Sequence, residues 1–162
     1  MLVVAAAAML PIRQWLHLPY WNDRRSQEFE TIWRQAGDLN RHHPVEVIRT
    51  IDGDTFEARV HLASGQEVTT RVRLRGIDAP ELKAACPQEL QMAEAATDAL
   101  RDVLGQGEVA IYNIGPDKYD GRVVADVTTR RTGNVSAALI SAGHVRSYNG
   151  GHRNGWCANA PR

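Results

Sequence analysis

Lysine is nearly missing from this chain: of its 19 basic residues 17 are arginine, and only Lys83 and Lys118 are lysine. Arginine grips phosphate oxygens in a flat, two-pronged way that a lysine ammonium cannot. A GC-rich genome produces the same bias, so this composition alone assigns no ligand. Net charge is missing too, since 19 acidic residues balance the 19 basic ones. No global field draws in a polyanion, and any nucleic-acid contact must come from a local patch. Cysteine is scarce: Cys86 and Cys157 stand far apart, without a Cys-x-x-Cys pair, which argues against a structural zinc site. The two form one disulfide or remain two free thiols. A bond would tie the C-terminal tail to the domain and would need an oxidising compartment. Walker-type Gly-Lys-Ser/Thr, Gly-x-Ser-x-Gly and His-Glu-x-x-His sequences are absent, as are internal repeats and low-complexity segments.

The apolar run from Leu2 to Ile12 is too short to span a bilayer. It has the length of a signal-peptide core, but no positive charge precedes it and no clear small-x-small cleavage site follows. Pro11 and Pro19, with Trp15 and Trp21, suit a membrane interface. Residues 1–22 are therefore read as a signal or membrane-interface segment, with membrane contact through the N-terminus and a secreted or cell-envelope location. From Arg24 to Ala36, Phe29, Ile32 and Trp33 recur at helical spacing before Gly37. Residues 23–44 are read as a helical extension and linker, with His42 and His43 solvated in the linker. The domain proper is placed at 45–157.

In that domain, Val45, Val47 and Ile51 alternate with polar residues and predict a first strand. Asp52-Gly53 predicts a tight hairpin, with Gly53 supplying a positive φ. Phe56, Ala58, Val60 and Leu62 define the inward face of a second strand, and Val68, Thr70, Val72 and Leu74 that of a third. Pro87 opens a helix whose inward stripe is Leu90, Ala93, Ala96, Leu100 and Val103 or Leu104, closed by Gly105. Val109–Ile114 and Val123–Thr128 are two further strands. Asn134 caps a short helix over Val135–Ala142 that ends at Gly143. Beyond it the tail, rich in Gly and Asn, reads as irregular. The order predicts an α+β protein: a five-stranded OB-type barrel with a helix between the third and fourth strands and a short C-terminal helix.

The chemistry concentrates in Val72 to Glu81. The inward phase of the third strand leaves Arg71, Arg73 and Arg75 together on the opposite face. Three like charges in a row repel one another unless a phosphate or an acid lies near. The strand then breaks at Gly76 and delivers Asp78 and Glu81 around Pro80. Carboxylates hold a hard metal ion or a water, and guanidinium groups hold phosphate. Both within ten residues point to phosphodiester chemistry.

Three stretches, in order on a matching barrel, carry a resemblance. They are Ile51-Asp52-Gly53-Asp54-Thr55, then Val72-Arg73-Leu74 with Gly76-Ile77-Asp78-Ala79-Pro80-Glu81, then Asp117-Lys118-Tyr119 with Gly121-Arg122. They resemble the staphylococcal nuclease (thermonuclease) family over roughly Val45 to Cys157. The resemblance implies a calcium-dependent endonuclease acting on DNA, RNA or both, expected as a monomer. It implies Asp54, Asp78 and the carbonyl of Ala79 as Ca²⁺ ligands, and Glu81 as the residue that positions the attacking water. It implies Arg73 and Arg122 as the clamp on the scissile phosphate, with Lys118, Tyr119 and Tyr148 near the nucleotide. Cys86 and Cys157 sit where exported members often carry a disulfide, so a bond is expected. Two departures stand out: Asp120 lengthens the loop before Arg122, and Arg75 is extra, a second phosphate contact or the partner of an acid. The alternative is a non-catalytic OB-fold module that binds nucleic acid. Such a module has no use for Asp54, Asp78 and Glu81 beside its phosphate contacts.

Overall fold

The computed structural model describes residues 38–157, apart from 63 and 120, together with Trp33. The expected membrane-interface segment over 1–22 and the loop residue Asp120 lie outside the described residues. So does the expected helix over 24–36, save for Trp33, which is buried in the core.

The elements run β1 (His43–Asp52), β2 (Thr55–His61), β3 (Glu67–Leu74), β4 (Ile77–Asp78), α1 (Pro87–Leu104), β5 (Ala110–Pro116), β6 (Arg122–Thr128), α2 (Val135–Ser141) and β7 (Arg146–Ser147). Five of the strands close a barrel in the order β1-β2-β3-β6-β5, and β4 pairs with β7 in a separate two-stranded ladder. All pairs are antiparallel except β3 with β6. This is the expected α+β barrel with two helices.

The period-2 pattern is the reason. Phe56, Ala58, Val60, Val72 and Leu74 point inward with Ile111, Val123, Ala125 and Val127, and all are essentially shut off from water. Fully burying side chains of the Val, Leu or Phe class contributes roughly 1.5–3 kcal/mol each before entropy is counted. α1 adds Ala93, Ala96, Leu100 and Leu104 at helical spacing. Asn134 caps α2, its side chain accepting from the Ala137 N–H at 2.8 Å.

Four expectations need correction. His43 is not solvated: it opens β1, is buried, and its Nε2 lies 3.1 Å from the Asp38 carbonyl. His42 is exposed, as expected, and stacks on Tyr112 with ring centroids 4.5 Å apart. Leu90 is 39% exposed, because the first turn of α1 turns Glu89 inward instead. Gly53 does not have the positive φ expected of it. Its lack of a side chain matters for space, since a Cβ there would stand 2.6 Å from Ala96 Cβ and 2.9 Å from Ala79 Cβ. Finally, the tail is not wholly irregular, because Arg146–Ser147 pairs with Ile77–Asp78.

Candidate active site

Two turns and one loop build the site. The β1–β2 turn packs closely on α1 through Gly53 and carries Asp54 next. Asp54 is locked to the end of β3, where the Leu74 N–H donates to its carbonyl at 2.8 Å. Arg73, on the adjacent strand β3, pairs across from Thr55 and so reaches Asp54. At the end of β3, Gly76 takes a left-handed conformation, φ +78°. The chain reverses there, and β4 brings in Asp78, followed by Ala79, Pro80 and Glu81.

Asp54 is only 4% exposed. It accepts from Arg73 Nη1 at 2.7 Å, Thr55 Oγ1 at 2.8 Å and the Ala79 N–H at 3.3 Å. Burial pushes its carboxyl above the usual range, and the Arg73 guanidinium pulls the other way without winning. Asp78 is 2% exposed. Its Oδ2 accepts from Arg146 Nη2 at 3.0 Å. Its Oδ1 lies 3.2 Å from Arg153 Nε as an ion pair, without hydrogen-bond geometry. Glu81 is on the rim, and its carboxylate accepts from Arg153 Nη1 at 3.0 Å.

The arginines of β3, Arg71 and Arg73, and Arg75 just beyond it part ways. Arg73 is spent on Asp54 and on the Ile77 carbonyl, 3.1 Å from its Nη2. Arg75 donates to the carbonyls of Asn113 and Val124 and faces Asp126 at 3.9 Å. Arg71 is exposed on the cleft wall, across the parallel ladder from Arg122. Arg122 donates through Nε to Asp117, and its guanidinium lies 4.6 Å from the centroid of the Tyr119 ring, with Lys118 Nζ at 4.9 Å.

Asp54, Arg73, Ala79, Glu81, Lys118, Tyr119 and Arg122 converge on one cleft of about 390 Å³. Asp52, Arg71, Pro80 and Arg153 complete its wall. Asp78 and Tyr148 are not on that wall. Tyr148 lines a neighbouring cleft of about 460 Å³ that shares Arg73, Lys118, Arg122 and Arg153 with the first. Asp78 joins the network from behind, through Arg153.

Sequence reasoning missed three residues. Arg146 and Arg153 sit in a Gly-rich tail whose course no periodicity reveals. Glu89 was hidden by the apolar stripe of α1; its buried carboxylate accepts from the Ala85 N–H at 2.7 Å and holds the loop after Glu81. Cys86 and Cys157 are bonded to one another, which pins that tail beside the site. Together with Glu89 they form an oxygen–sulfur cluster, but bonded cysteines offer no thiolate to a metal.

A small mixed barrel whose one rim gathers carboxylates and arginines over a cleft defines a class of phosphate-handling domain. The chain belongs to the family described as staphylococcal nuclease homologue, whose model matches residues 71–155. It is 29% identical over 143 residues to Endonuclease YhcR of Bacillus subtilis (strain 168), covering 76% of this chain and 11% of that protein. It is 32% identical over 111 residues to Protein ParB of Escherichia coli, covering 64% of this chain and 56% of that protein. The matched region thus spans between about a ninth and a little over half of these relatives.

Proposed function

We propose that this domain is a calcium-dependent endonuclease that hydrolyses phosphodiester bonds of DNA, RNA or both. The convergence of Arg73 and Arg122 with Asp54, Ala79 and Glu81 on one cleft carries this reading. Endonuclease YhcR, an endonuclease by name, supports it.

The donors fit a hard cation. Asp54, Asp78 and the Ala79 carbonyl offer only oxygen, as Ca²⁺ prefers. Asp54 Oδ2 lies next to the Ala79 backbone, and Asp78 Oδ1 is buried without a hydrogen bond among the described residues. A bound Ca²⁺ would supply positive charge to the phosphate and its bridging oxygens. Arg122, free of Asp117 at its outer nitrogens, places two donors towards the non-bridging oxygens, and Arg73 adds its charge from the floor of the cleft. Glu81, on a loop held by Glu89, orients the attacking water or takes its proton. Tyr119, 57% exposed, offers a ring to a base, and Lys118 a charge to a flanking phosphate. Tyr148 serves the neighbouring cleft. The Cys86–Cys157 bond favours an oxidising, secreted or envelope location.

The test is cleavage of single-stranded DNA by the purified chain with Ca²⁺, with excess EGTA, and with Glu81→Gln. Cleavage that needs Ca²⁺ and is lost with Glu81→Gln is the expected result. Salt-sensitive binding without cleavage would replace this reading with the non-catalytic barrel module.

A further inference from the structure

The carboxylates of the site are already matched by charge. Asp54 faces Arg73, Asp78 faces Arg146 and Arg153, and Glu81 faces Arg153. Two of these three guanidinium groups come from the tail, and they are held differently. Arg146 is fixed: it donates to the carbonyls of Asn154 and Gly155, and its guanidinium lies 3.9 Å from the centroid of the Trp156 ring. Arg153 has no such backbone anchor among the described residues. Its guanidinium pairs with Asp78 Oδ1 and Glu81 Oε1, is hydrogen-bonded to the Tyr148 side chain and lies 5.3 Å from that ring's centroid, and its side chain is 36% exposed. It also lines both clefts. Arg153 thus borders the cleft while it is paired with Asp78 and Glu81. The tail is tied down on either side of it, the Tyr148 N–H to the Gly76 carbonyl at 2.9 Å and Cys157 to Cys86.

We propose that Arg153 exchanges between two anionic partners: a divalent cation competes with it for Asp78, and once displaced from Asp78 and Glu81 it contacts a substrate phosphate beside the Arg73–Arg122 pair. The physical reason is that a dication and a guanidinium on the same Asp78 carboxylate repel each other at short range. An arginine left next to a strand of phosphates then finds its preferred ligand. The exchange also frees Glu81 for water. This inference rests on the nuclease reading above and deepens it.

The test measures Ca²⁺ binding by titration calorimetry on the full chain, wild type against Arg153→Gln, with Arg130→Gln as a control at an exposed pair far from the site. Arg153→Gln is expected to bind Ca²⁺ roughly 3- to 10-fold more tightly, the scale of one or two partly exposed ion pairs. It is also expected to raise KM for single-stranded DNA, with the salt slope of binding smaller by about one charge. Ca²⁺ affinity that is unchanged or weaker in Arg153→Gln, or an unchanged KM, overturns the proposal. A wild-type chain that neither binds Ca²⁺ nor cleaves overturns the nuclease reading itself, so the two failures are distinct.

Discussion

Asp54 is a carboxylate with almost no water, held in place by an arginine, a threonine and a backbone N–H. Its carboxyl is pushed up by burial more than Arg73 pulls it down. The sign of the pH effect follows. A raised folded value means that Asp54 contributes stability below its ordinary value of 3.8, and that this is lost as pH rises through the folded value. Asp54→Asn removes that titration. In chelator, the stability of Asp54→Asn relative to wild type should therefore rise with pH from below 3.8 towards neutrality, read by urea denaturation across pH. A relative stability that falls over that range would mean the Arg73 pairing outweighs burial. At this scale much of the site was legible. The alternation of β3 placed Arg71 and Arg73 on one face; Arg75, expected there too, falls in the turn after the strand. What each arginine touches was not legible, because it depends on the neighbours that β5, β6 and the β1–β2 turn bring from elsewhere.

The elements show why some local signals mislead. Asp52-Gly53 reads as a hairpin pair chosen for backbone freedom, yet Gly53 stands there because Ala96 and Ala79 leave no room for a Cβ. That close approach seats Asp54 and Ala79 side by side at the foot of the cleft. Gly53→Ala should then cost about 1–3 kcal/mol, the usual scale for overpacking, and lower activity more than stability alone explains. A urea midpoint and a cleavage rate both close to wild type would show that the turn has slack. The inward phases of β2 and β3, Pro87 at the start of α1 and the Asn134 cap of α2 follow from residues within a few positions of one another. The β4–β7 ladder does not: Asp78 meets Arg146 across 68 residues, and two-residue strands carry no period. His43 went unrecognised as a core residue for the same reason, since its partner carbonyl and the β5 strand it pairs with are supplied by folding.

The whole molecule carries no net charge, so its attraction for a polyanion is local to one rim of the barrel. There the parallel contact of β3 with β6 sets Arg71 and Arg73 beside Arg122, and the disulfide brings the tail arginines to the other side. The barrel itself was readable from the order of strands and helices; its parallel seam was not, because that pairing is non-local. The most direct test of the central claim is the rate of single-stranded DNA cleavage by Arg122→Lys, which keeps the charge facing Asp117 but loses the flat fork. The account predicts a fall in kcat of about 10²–10³, the scale for losing one transition-state donor, with the fold retained. A kcat near that of the wild type would take Arg122, and with it this cleft, out of the chemistry.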